Sequence, residues 1–264
     1  MMRTLSTMML AGGLLAGGQA AVAGDLLQWQ NNSLTYLYGE NFKVDPDTQQ
    51  TLTFEHASGW SVGDLFFFVD GITYNDGENG AGDSKTFYGE LSPRLSMGKL
   101  FNSKIQFGPV TDVLLAMTYE FGEDDTESYL IGPAVDLAIP GFDYFQLNTY
   151  LRTTDGKRDG DNVWQITPVW SYTIPVGNSD ILFDGFMDWV VDNDDSYHAN
   201  LHFNPQIKYD MGKALSWGEK QLYVGIEYDY WKDKYGIDND GFVGSEILDG
   251  TNQSATNFIV KAHF

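Results

Sequence analysis

Apolar and polar residues alternate along most of the chain. From Leu201 to Asp210, every odd position holds an apolar or aromatic residue, and every even position holds a polar or charged one. Successive side chains of a β-strand point to opposite faces, whereas the pattern of a helix repeats about every 3.6 residues. This segment therefore predicts a strand that has one apolar face and one polar face.

The same period of two recurs in twelve segments of the chain. They lie near residues 33–39, 50–57, 64–73, 85–97, 110–120, 128–138, 144–153, 162–174, 181–191, 199–210, 221–231 and 254–264. Many of these segments have about ten residues, which is the length of a tilted strand that crosses a bilayer. Strands of soluble proteins are typically shorter, at about five or six residues. The pattern therefore predicts an all-β fold, an antiparallel transmembrane β-barrel of 12 strands.

The connections between these segments alternate between two kinds. One set is mostly short, and the other is rich in Asp, Glu, Asn and Gly. Outer-membrane barrels have short periplasmic turns and longer extracellular loops, and an even number of strands places both termini on the periplasmic side. We therefore expect periplasmic turns at 58–63, 98–109, 139–143, 175–180 and 211–220, and external loops at 75–84, 121–127, 154–161, 192–198 and 232–253.

Aromatic residues with the apolar parity lie toward the strand ends. Trp and Tyr suit a membrane interface, because each ring combines an apolar body with a polar tip. These residues are Tyr36, Tyr38, Trp164, Tyr172, Trp189, Tyr209, Tyr228 and Tyr230. Alternation is also compatible with a soluble β-sandwich, whose strands bury one face in protein. The strand lengths and the two kinds of connection favour the barrel.

The chain ends on Phe264, after a segment in which Phe258, Val260 and Ala262 have the apolar parity. In a closed barrel this segment would pair on both sides and present these side chains to lipid. A C-terminal Phe after alternating apolar positions resembles the assembly signal of bacterial outer-membrane proteins. We therefore expect the barrel assembly machinery to recognise Phe264, and the barrel to contact outer-membrane lipid and lipopolysaccharide.

The first 23 residues have the features of a cleaved signal peptide. Arg3 supplies a positive charge, residues 8–16 form an apolar run, and the Ala-Val-Ala at 21–23 offers a cleavage site between small residues. We therefore expect a signal peptide at 1–23 and, at 24–264, a barrel located in the bacterial outer membrane. The chain contains no Cys, which excludes disulfides and thiolate metal sites. Its net charge of −22 disfavours binding to nucleic acid.

The polar parity identifies the side chains that face the inside of the predicted barrel. Rings of this parity can stack on a flat base, while carboxylates and amides can bind sugar hydroxyls. The combination favours a narrow lumen that binds a flat, polar, uncharged solute. Alternatively, the charges neutralise one another and plug the lumen, as in small barrels. The candidate substrate-binding residues are Asp70, Glu90, Arg94, Phe66, Phe68, Tyr88, Phe186, Asp184, Asp188, Tyr150, Arg152, His202 and Glu227.

The stretch from Phe87 to Ser96, FYGELSPRLS, resembles the E-x-x-P-R-x-S strand of the nucleoside-specific channel-forming outer membrane protein family (Tsx and OmpK-like). GDLFFFVD at 63–70 and FGPV at 107–110 are similar to the same family's pattern. The resemblance covers essentially residues 24–264 in strand order. It implies a twelve-strand barrel that passes nucleosides and that serves, in some members, as a phage receptor. It also implies that Asp70, Glu90 and Arg94 face the lumen.

The sequence does not indicate an enzyme. A lipid-modifying enzyme of the outer membrane needs Ser and His together on the lipid-facing surface. His56 has the outward parity, but it lies near the expected periplasmic rim, whereas such chemistry usually belongs to the outer leaflet. DNDG at 238–241 fails the EF-hand template, because Gly236 and Ile247 occupy the first and twelfth ligand positions. We therefore expect no cofactor and no metal site.

Two functions remain open at this point. The first is an outer-membrane channel for passive, substrate-selective diffusion of nucleosides or similar small polar solutes. The alternative is a closed barrel that acts as a surface adhesin or bacteriophage receptor through its acidic external loops. The first predicts conductance that a nucleoside inhibits, and the second predicts binding at the cell surface without conductance.

Overall fold

The twelve predicted strands form one closed antiparallel sheet. The structure, a computed structural model, describes residues 26–123, 126–156, 160–194 and 196–264; the predicted signal peptide lies outside them. The strands are β1 (Leu27–Glu40), β2 (Gln49–Trp60), β3 (Gly63–Tyr74), β4 (Lys85–Ser96), β5 (Val110–Gly122), β6 (Thr126–Leu137), β7 (Tyr144–Gly156), β8 (Gly160–Val176), β9 (Ser179–Val190), β10 (Asn200–Asp210), β11 (Leu222–Lys232) and β12 (Gln253–His263). Each strand pairs with its two neighbours in the sequence, and β12 closes the barrel against β1. The alternative of a β-sandwich is therefore wrong.

The last strand is paired along both of its edges. It pairs with β11 from Leu222↔Ala262 to Trp231↔Gln253, and with β1 from Ser33↔His263 to Glu40↔Thr256. The ladder continues to the final residue, since the N–H of Phe264 donates to the carbonyl of Asn32 at 2.9 Å. Closure leaves no unpaired edge, which is the condition for a sheet to exist in hydrocarbon.

Each predicted segment coincides with an observed strand, and the largest difference lies at the start of β1. The residues from Leu27 to Asn32 do not continue the even apolar parity of Leu34 and Tyr36, yet they pair with β2 from Leu27↔Trp60 to Asn32↔His56, with a register shift between Leu27 and Trp29. Backbone pairing requires only that the neighbouring strand is present. Periodicity therefore identifies the part of a strand that has one apolar and one polar face. It does not identify a strand end that continues with a different pattern.

The connections divide between the two ends of the barrel. One end carries 61–62, 97–109, 138–143, 177–178 and 211–221 together with the chain end at Phe264. In two of these connections, the helical turns α1 (Met97–Leu100) and α2 (Met211–Ala214) are capped by Ser96 and Asp210, whose side chains accept from Lys99 N and Lys213 N. The other end carries 41–48, 75–84, 191–194, 196–199 and 233–252, together with the strand ends at Gly122, Thr126, Gly156 and Gly160. Within the described residues, no helix is long and apolar enough to cross a membrane.

The outward parity forms an apolar band around the barrel. Its side chains are about half exposed on every side, as Leu52 (51%), Ile226 (50%) and Ile131 (49%) show. Such a band would be unfavourable in water and is solvated by acyl chains in a bilayer. Exposed aromatic side chains lie toward its two rims, where amphipathic rings contact the interfaces. They include Tyr36, Tyr38, Tyr129, Trp164, Trp189 and Tyr228 on strands, and Phe101, Phe107 and Trp217 on the connections at the end with the chain terminus.

Candidate functional site

Ion pairs that skip a strand identify the inner wall of the barrel. Arg94 on β4 reaches Asp136 on β6 at 2.9 Å, and Arg152 on β7 reaches Glu120 on β5 at 2.5 Å. A side chain can reach past the neighbouring strand on the concave face of a closed sheet, whereas on the convex face the side chains diverge. The polar parity of the strands is therefore the inner parity, and all thirteen candidate residues have it. Their role in binding a substrate stays a prediction.

Arg94 is the centre of the first inner cluster. Its guanidinium holds both carboxylate oxygens of Asp64, at 2.8 and 2.7 Å, and also donates to Asp136. Arg94 is buried, and the bidentate geometry is the strong form of an Arg–carboxylate contact. The sequence predicts Arg94 but not Asp64, which follows the turn between β2 and β3. The parity that Asp64 shares with Phe66 is the signal that would have identified it.

Arg152 is the centre of a second cluster on the same wall. It donates to both oxygens of Glu120, at 2.6 and 2.5 Å, and to Gln165 at 3.1 Å. Gln165 in turn donates to Asp188 at 2.9 Å, so Arg152 and Asp188 belong to one network. Sequence reasoning missed Glu120 because it is the last residue of its predicted segment, and it still has the parity of the inner wall.

The two inward lysines of the described strands are also engaged by carboxylates. Lys208 pairs with Asp184 at 2.8 Å, and Lys261 pairs with Glu55 at 2.5 Å. The imidazole of His202 lies 3.0 Å from Asp229. Besides Asp112 and Asp210, which accept from Ser96 and from backbone N–H groups at the end with the chain terminus, four inward carboxylates contact neutral donors, and no described Lys, Arg or His lies within ion-pair distance of them. These are Asp70, which accepts from Thr53; Glu90, from Tyr88; Asp188, from Gln165 and Thr167; and Glu227, from Gln206 and Asn257.

Aromatic rings form a ladder along one side of the lumen. Phe186 meets the edge of His202 at 5.1 Å between ring centroids, and His202 stacks on Trp231 at 4.1 Å. Trp231 then contacts the edge of Tyr235 at 4.9 Å, in the connection beyond β11. The ladder thus runs from the wall to the mouth. The sequence predicts Phe186 and His202 as candidate binding residues. It does not single out Trp231, although Trp231 has the same inner parity.

A second aromatic strip lies on β3 and β4, on the opposite side of the ring of strands. Phe66 and Phe68 have their centroids 5.9 Å apart, and Phe68 lies 5.8 Å from Tyr88. Phe66 is 39% exposed although it faces inward, so solvent-accessible space adjoins it inside the barrel. Asp70 and Glu90 continue the inner parity directly after these rings. The two strips therefore combine aromatic faces with carboxylate acceptors.

Tyr150 has a different environment from the other candidates. It is 5% exposed and belongs to an apolar cluster on the inner wall of β5, β6 and β7. Its neighbours there are Leu114, Ala116, Leu130 and Ala134. This cluster fills part of the lumen on that side. Tyr150 thus has less contact with the accessible space than Phe66 or Tyr88 does.

Two connections fold onto the mouth of the barrel at the end that carries 233–252. Tyr197 packs against Val163 and Val190, both buried, and its ring lies 5.4 Å from the guanidinium carbon of Arg152. Next to it, the N–H of His198 donates to the carbonyl of Gly236 at 2.9 Å. The two connections at 191–199 and 233–252 are therefore joined at this end of the barrel, and Tyr197 packs on its inner wall. Parity contains no information on this arrangement, because it lies outside the strands.

Lys234 holds the second of these connections against the first loop of the chain. Its ammonium is buried, bonds Gln253 at 2.7 Å and pairs with Asp45 at 3.0 Å. The hydroxyl of Tyr235 donates to the same Asp45 carboxylate at 2.7 Å. Partial burial of the phenol, whose residue is 38% exposed, and the charge of Asp45 together raise the pKa of Tyr235 well above its ordinary value. We name the set Asp45, Lys234, Tyr235 and Gln253 the mouth clasp.

A hydrogen-bonded Asn32–His56–Ser58 chain lies on the outer face, near the end with the chain terminus. Asn32 Oδ1 is 2.8 Å from His56 Nδ1, and Ser58 Oγ is 3.0 Å from His56 Nε2. This order resembles a nucleophile, base and orienting group. However, Ser58 is fully buried and accepts from the indole of Trp60 at 2.9 Å, so a lipid ester has no approach to its oxygen. The chain ties β1 to β2 and satisfies polar groups at the interface.

The closed barrel, its apolar outer band and its polar inner wall define an outer-membrane β-barrel of the porin type. A family model described as nucleoside-specific channel-forming protein, Tsx, matches residues 25–262. The chain therefore belongs to the Tsx family of outer-membrane channels.

Individual relatives agree with this assignment. Outer membrane protein OmpK of Vibrio parahaemolyticus is 25% identical over 198 residues, which cover 73% of each chain. OmpK of V. parahaemolyticus serotype O3:K6 is 25% identical over 197 residues, 70% of this chain and 71% of its own. Among solved structures, the NanC porin superposes with a TM-score of 0.52 at 15% identity, covering 87% of this chain and 98% of its own. That likeness concerns the fold alone.

Proposed function

We propose that this channel mediates passive, substrate-selective diffusion of nucleosides or similar small polar solutes. The observation that carries the proposal is the pair of aromatic strips on opposite walls, each beside carboxylates. One strip is the ladder of Phe186, His202 and Trp231, and the other is Phe66, Phe68 and Tyr88. Family membership supports a channel, and these strips support a flat permeant.

The chemistry of the two strips matches the two halves of a nucleoside. Stacking a base on an aromatic side chain contributes about 1–3 kcal/mol, and it tolerates every base because each has a π-face. Sugar hydroxyls are donors, and the inner wall supplies acceptors at Asp70, Glu90 and Glu227. Weak contacts distributed along the wall favour entry and still allow release, as diffusion through a channel requires.

We assign the chain no enzymatic role and no cofactor in this proposal. Diffusion down a gradient requires neither, and the burial of Ser58 supports the same conclusion for the outer-face chain. The remaining candidate residues have supporting roles. The wall of the barrel is stabilised by the ion pairs of Arg94, Arg152 and Asp184. The side chains of Asp188 and Glu227 are oriented toward the lumen.

We further propose the orientation in the membrane. The end with Phe264 and the two-residue turns at 61–62 and 177–178 faces the periplasm, and the end with the mouth clasp faces outward, beside lipopolysaccharide. The apolar band contacts outer-membrane lipid. Phe264 is 71% exposed at the end of β12 in the closed barrel, and we propose that the barrel assembly machinery recognises it. Protease digestion of intact cells tests the orientation, with cleavage expected in 233–252 and not in 97–109.

The proposed function is tested by planar-bilayer conductance of the purified chain, together with liposome swelling. We expect nucleosides to reduce ion conductance in a saturable way and to permeate faster than sugars of similar mass. The matched comparison is a nucleoside against its free sugar, which tests the contribution of the base. Conductance that no nucleoside alters would overturn the specificity, while the absence of any conductance would overturn the channel.

A second role, surface reception of a bacteriophage, is favoured by one feature of the connection at 233–252. Its π-helical turn, Val243–Ile247, exposes apolar side chains: Phe242 is 74% exposed and Ile247 61%. Replacing residues 241–248 by a short Gly/Ser linker would remove them and leave the mouth clasp in place. Loss of phage adsorption with unchanged conductance would support this role, and unchanged adsorption would refute it.

A further inference from the structure

The inner wall has a specific imbalance between its cations and its carboxylates. Arg94, Arg152, Lys208 and Lys261 are each held by a carboxylate at hydrogen-bonding distance. The opposite charges of such an ion pair largely cancel, so the pair produces only a small electrostatic potential at a distance. In contrast, Asp70, Glu90, Asp188 and Glu227 contact neutral donors, so their charges are uncompensated by the wall.

Neutral donors stabilise a carboxylate without cancelling its charge. Thr53 donates to Asp70 at 2.5 Å, and Tyr88 donates to Glu90 at 2.8 Å. On the other side, Gln165 and Thr167 donate to Asp188 at 2.9 and 2.6 Å. Each of these carboxylates therefore has a neutral donor as its hydrogen-bond partner and no cation of the described wall at ion-pair distance.

The four carboxylates surround the passage rather than forming one patch. Asp70 lies on β3 and Glu90 on β4, whereas Asp188 lies on β9 and Glu227 on β11. The first two strands are nearly opposite the last two in the ring. Asp70, Glu90 and Asp188 each retain partial exposure. A passage between low-dielectric walls lined by charges of one sign concentrates ions of the opposite sign.

An unpartnered acceptor lies on the same wall, beside two of these carboxylates. Asn204 Oδ1 is buried and has no hydrogen-bond partner among the described residues. Asn204 is 6% exposed and lies on β10 between the strands of Asp188 and Glu227. Its oxygen therefore adds a partial negative charge that no donor compensates to this part of the wall.

We propose that the lumen is cation-selective and that Asp70, Glu90, Asp188 and Glu227 set this preference. Permeants are neutral or cationic solutes rich in N–H and O–H donors, and anionic solutes are excluded. This inference rests on the proposed channel function and deepens it by naming the charge class of the permeant. The aromatic strips contribute as well, since ring faces attract cations.

The test is the reversal potential of the full chain in planar bilayers separated by a KCl gradient, without nucleoside. We expect the potential to shift toward the potassium equilibrium value. Glu90→Gln with Asp188→Asn should reduce the ratio of potassium to chloride permeability severalfold. The matched control is Glu78→Gln with Asp83→Asn, two exposed carboxylates of the connection at 75–84, which should leave the ratio unchanged.

The outcomes separate this inference from the proposed function. A reversal potential near zero or toward the chloride value in the unmodified chain overturns the cation preference, even when a nucleoside blocks the current. Cation preference without nucleoside block overturns the nucleoside proposal and supports the inference. If the variant with Glu90→Gln and Asp188→Asn fails to form the heat-modifiable barrel, the reversal potential of the unmodified chain still determines the sign of the selectivity. Equal loss of selectivity in the control pair would move its source to the loops and refute the assignment.

Discussion

The imidazole of His202 lies flat on the indole of Trp231, with ring centroids 4.1 Å apart and planes 7° from parallel. The same imidazole bonds Asp229 at 3.0 Å. The two contacts fix both the position and the orientation of the ladder between the wall and the mouth. A rigid aromatic surface is what a stacking solute needs, because the protein then loses little conformational freedom on binding.

Replacing Trp231 with Ala should weaken nucleoside block of the current. It removes the central ring of the ladder, and stacking on one ring contributes about 1–3 kcal/mol. The half-inhibitory nucleoside concentration should therefore rise by roughly 5- to 150-fold. The control is Trp217→Ala, which removes an indole that is 68% exposed on a connection at the other end. Equal effects of the two variants would show that the ladder is not the binding surface.

Replacing Arg94 with Ala should destabilise the barrel strongly. Asp64 and Asp136 would remain on the wall without their cation, and removing one partner of a buried ion pair costs about 3–5 kcal/mol. Urea unfolding in lipid vesicles, followed by Trp fluorescence, measures the loss. Lys85→Ala is the control, because Lys85 is exposed. Adding Asp64→Asn to Arg94→Ala should recover part of the stability, and a purely additive result would contradict the pairing.

Replacing Gly236 with Ala should displace Tyr197 and widen the mouth. Gly236 has φ +67°, and a Cβ there would lie 2.9 Å from the ring of Tyr197. The substitution is therefore strained by both the backbone and the contact. Single-channel conductance should increase relative to the unmodified chain. Gly80→Ala is the control, since a Cβ at Gly80 meets no atom within 4 Å. A conductance unchanged by G236A would show that Tyr197 does not limit the passage.

The mouth clasp should weaken at alkaline pH through Tyr235. The raised pKa means that the folded chain holds the phenol proton more tightly than the unfolded chain, where the pKa is about 10. The stabilisation is complete below about pH 10 and is lost as the pH rises toward the folded value. Protease cleavage within 233–252 should accelerate as the pH rises above about 10. In Tyr235→Phe, cleavage should be faster at neutral pH and lack this step, and an identical step would assign it elsewhere.

The strands and the inner wall were predictable from sequence because period two is a property of single residues. Glu90 and Arg94 share a parity, and that alone placed both on one face. Pairing partners such as Asp64 and Glu120 were harder to identify, because parity gives the face of a residue and not its neighbour across the sheet. The register that brings Arg152 to Glu120 across β6 depends on closure, which no local pattern contains.

The contacts at the mouth of the barrel could not be predicted from the sequence for a different reason. Tyr197 and Lys234 lie in connections without periodicity, and their burial depends on contacts between loops far apart in the chain. Lys234 in particular is a charged residue in an acidic, polar segment, which is typical of a solvated loop. Its contacts with Asp45 and Gln253 reverse that expectation.

The mouth clasp spans the place where the barrel's first and last strands meet. Asp45 follows β1, Gln253 opens β12, and Lys234 bonds both, while the backbone N–H of Lys43 adds a bond to Gln253 at 3.0 Å. The seam between β1 and β12 is therefore joined, at the end that carries 233–252, by a buried ammonium group. Separation of the two strands from that end would first have to break the contacts of Lys234.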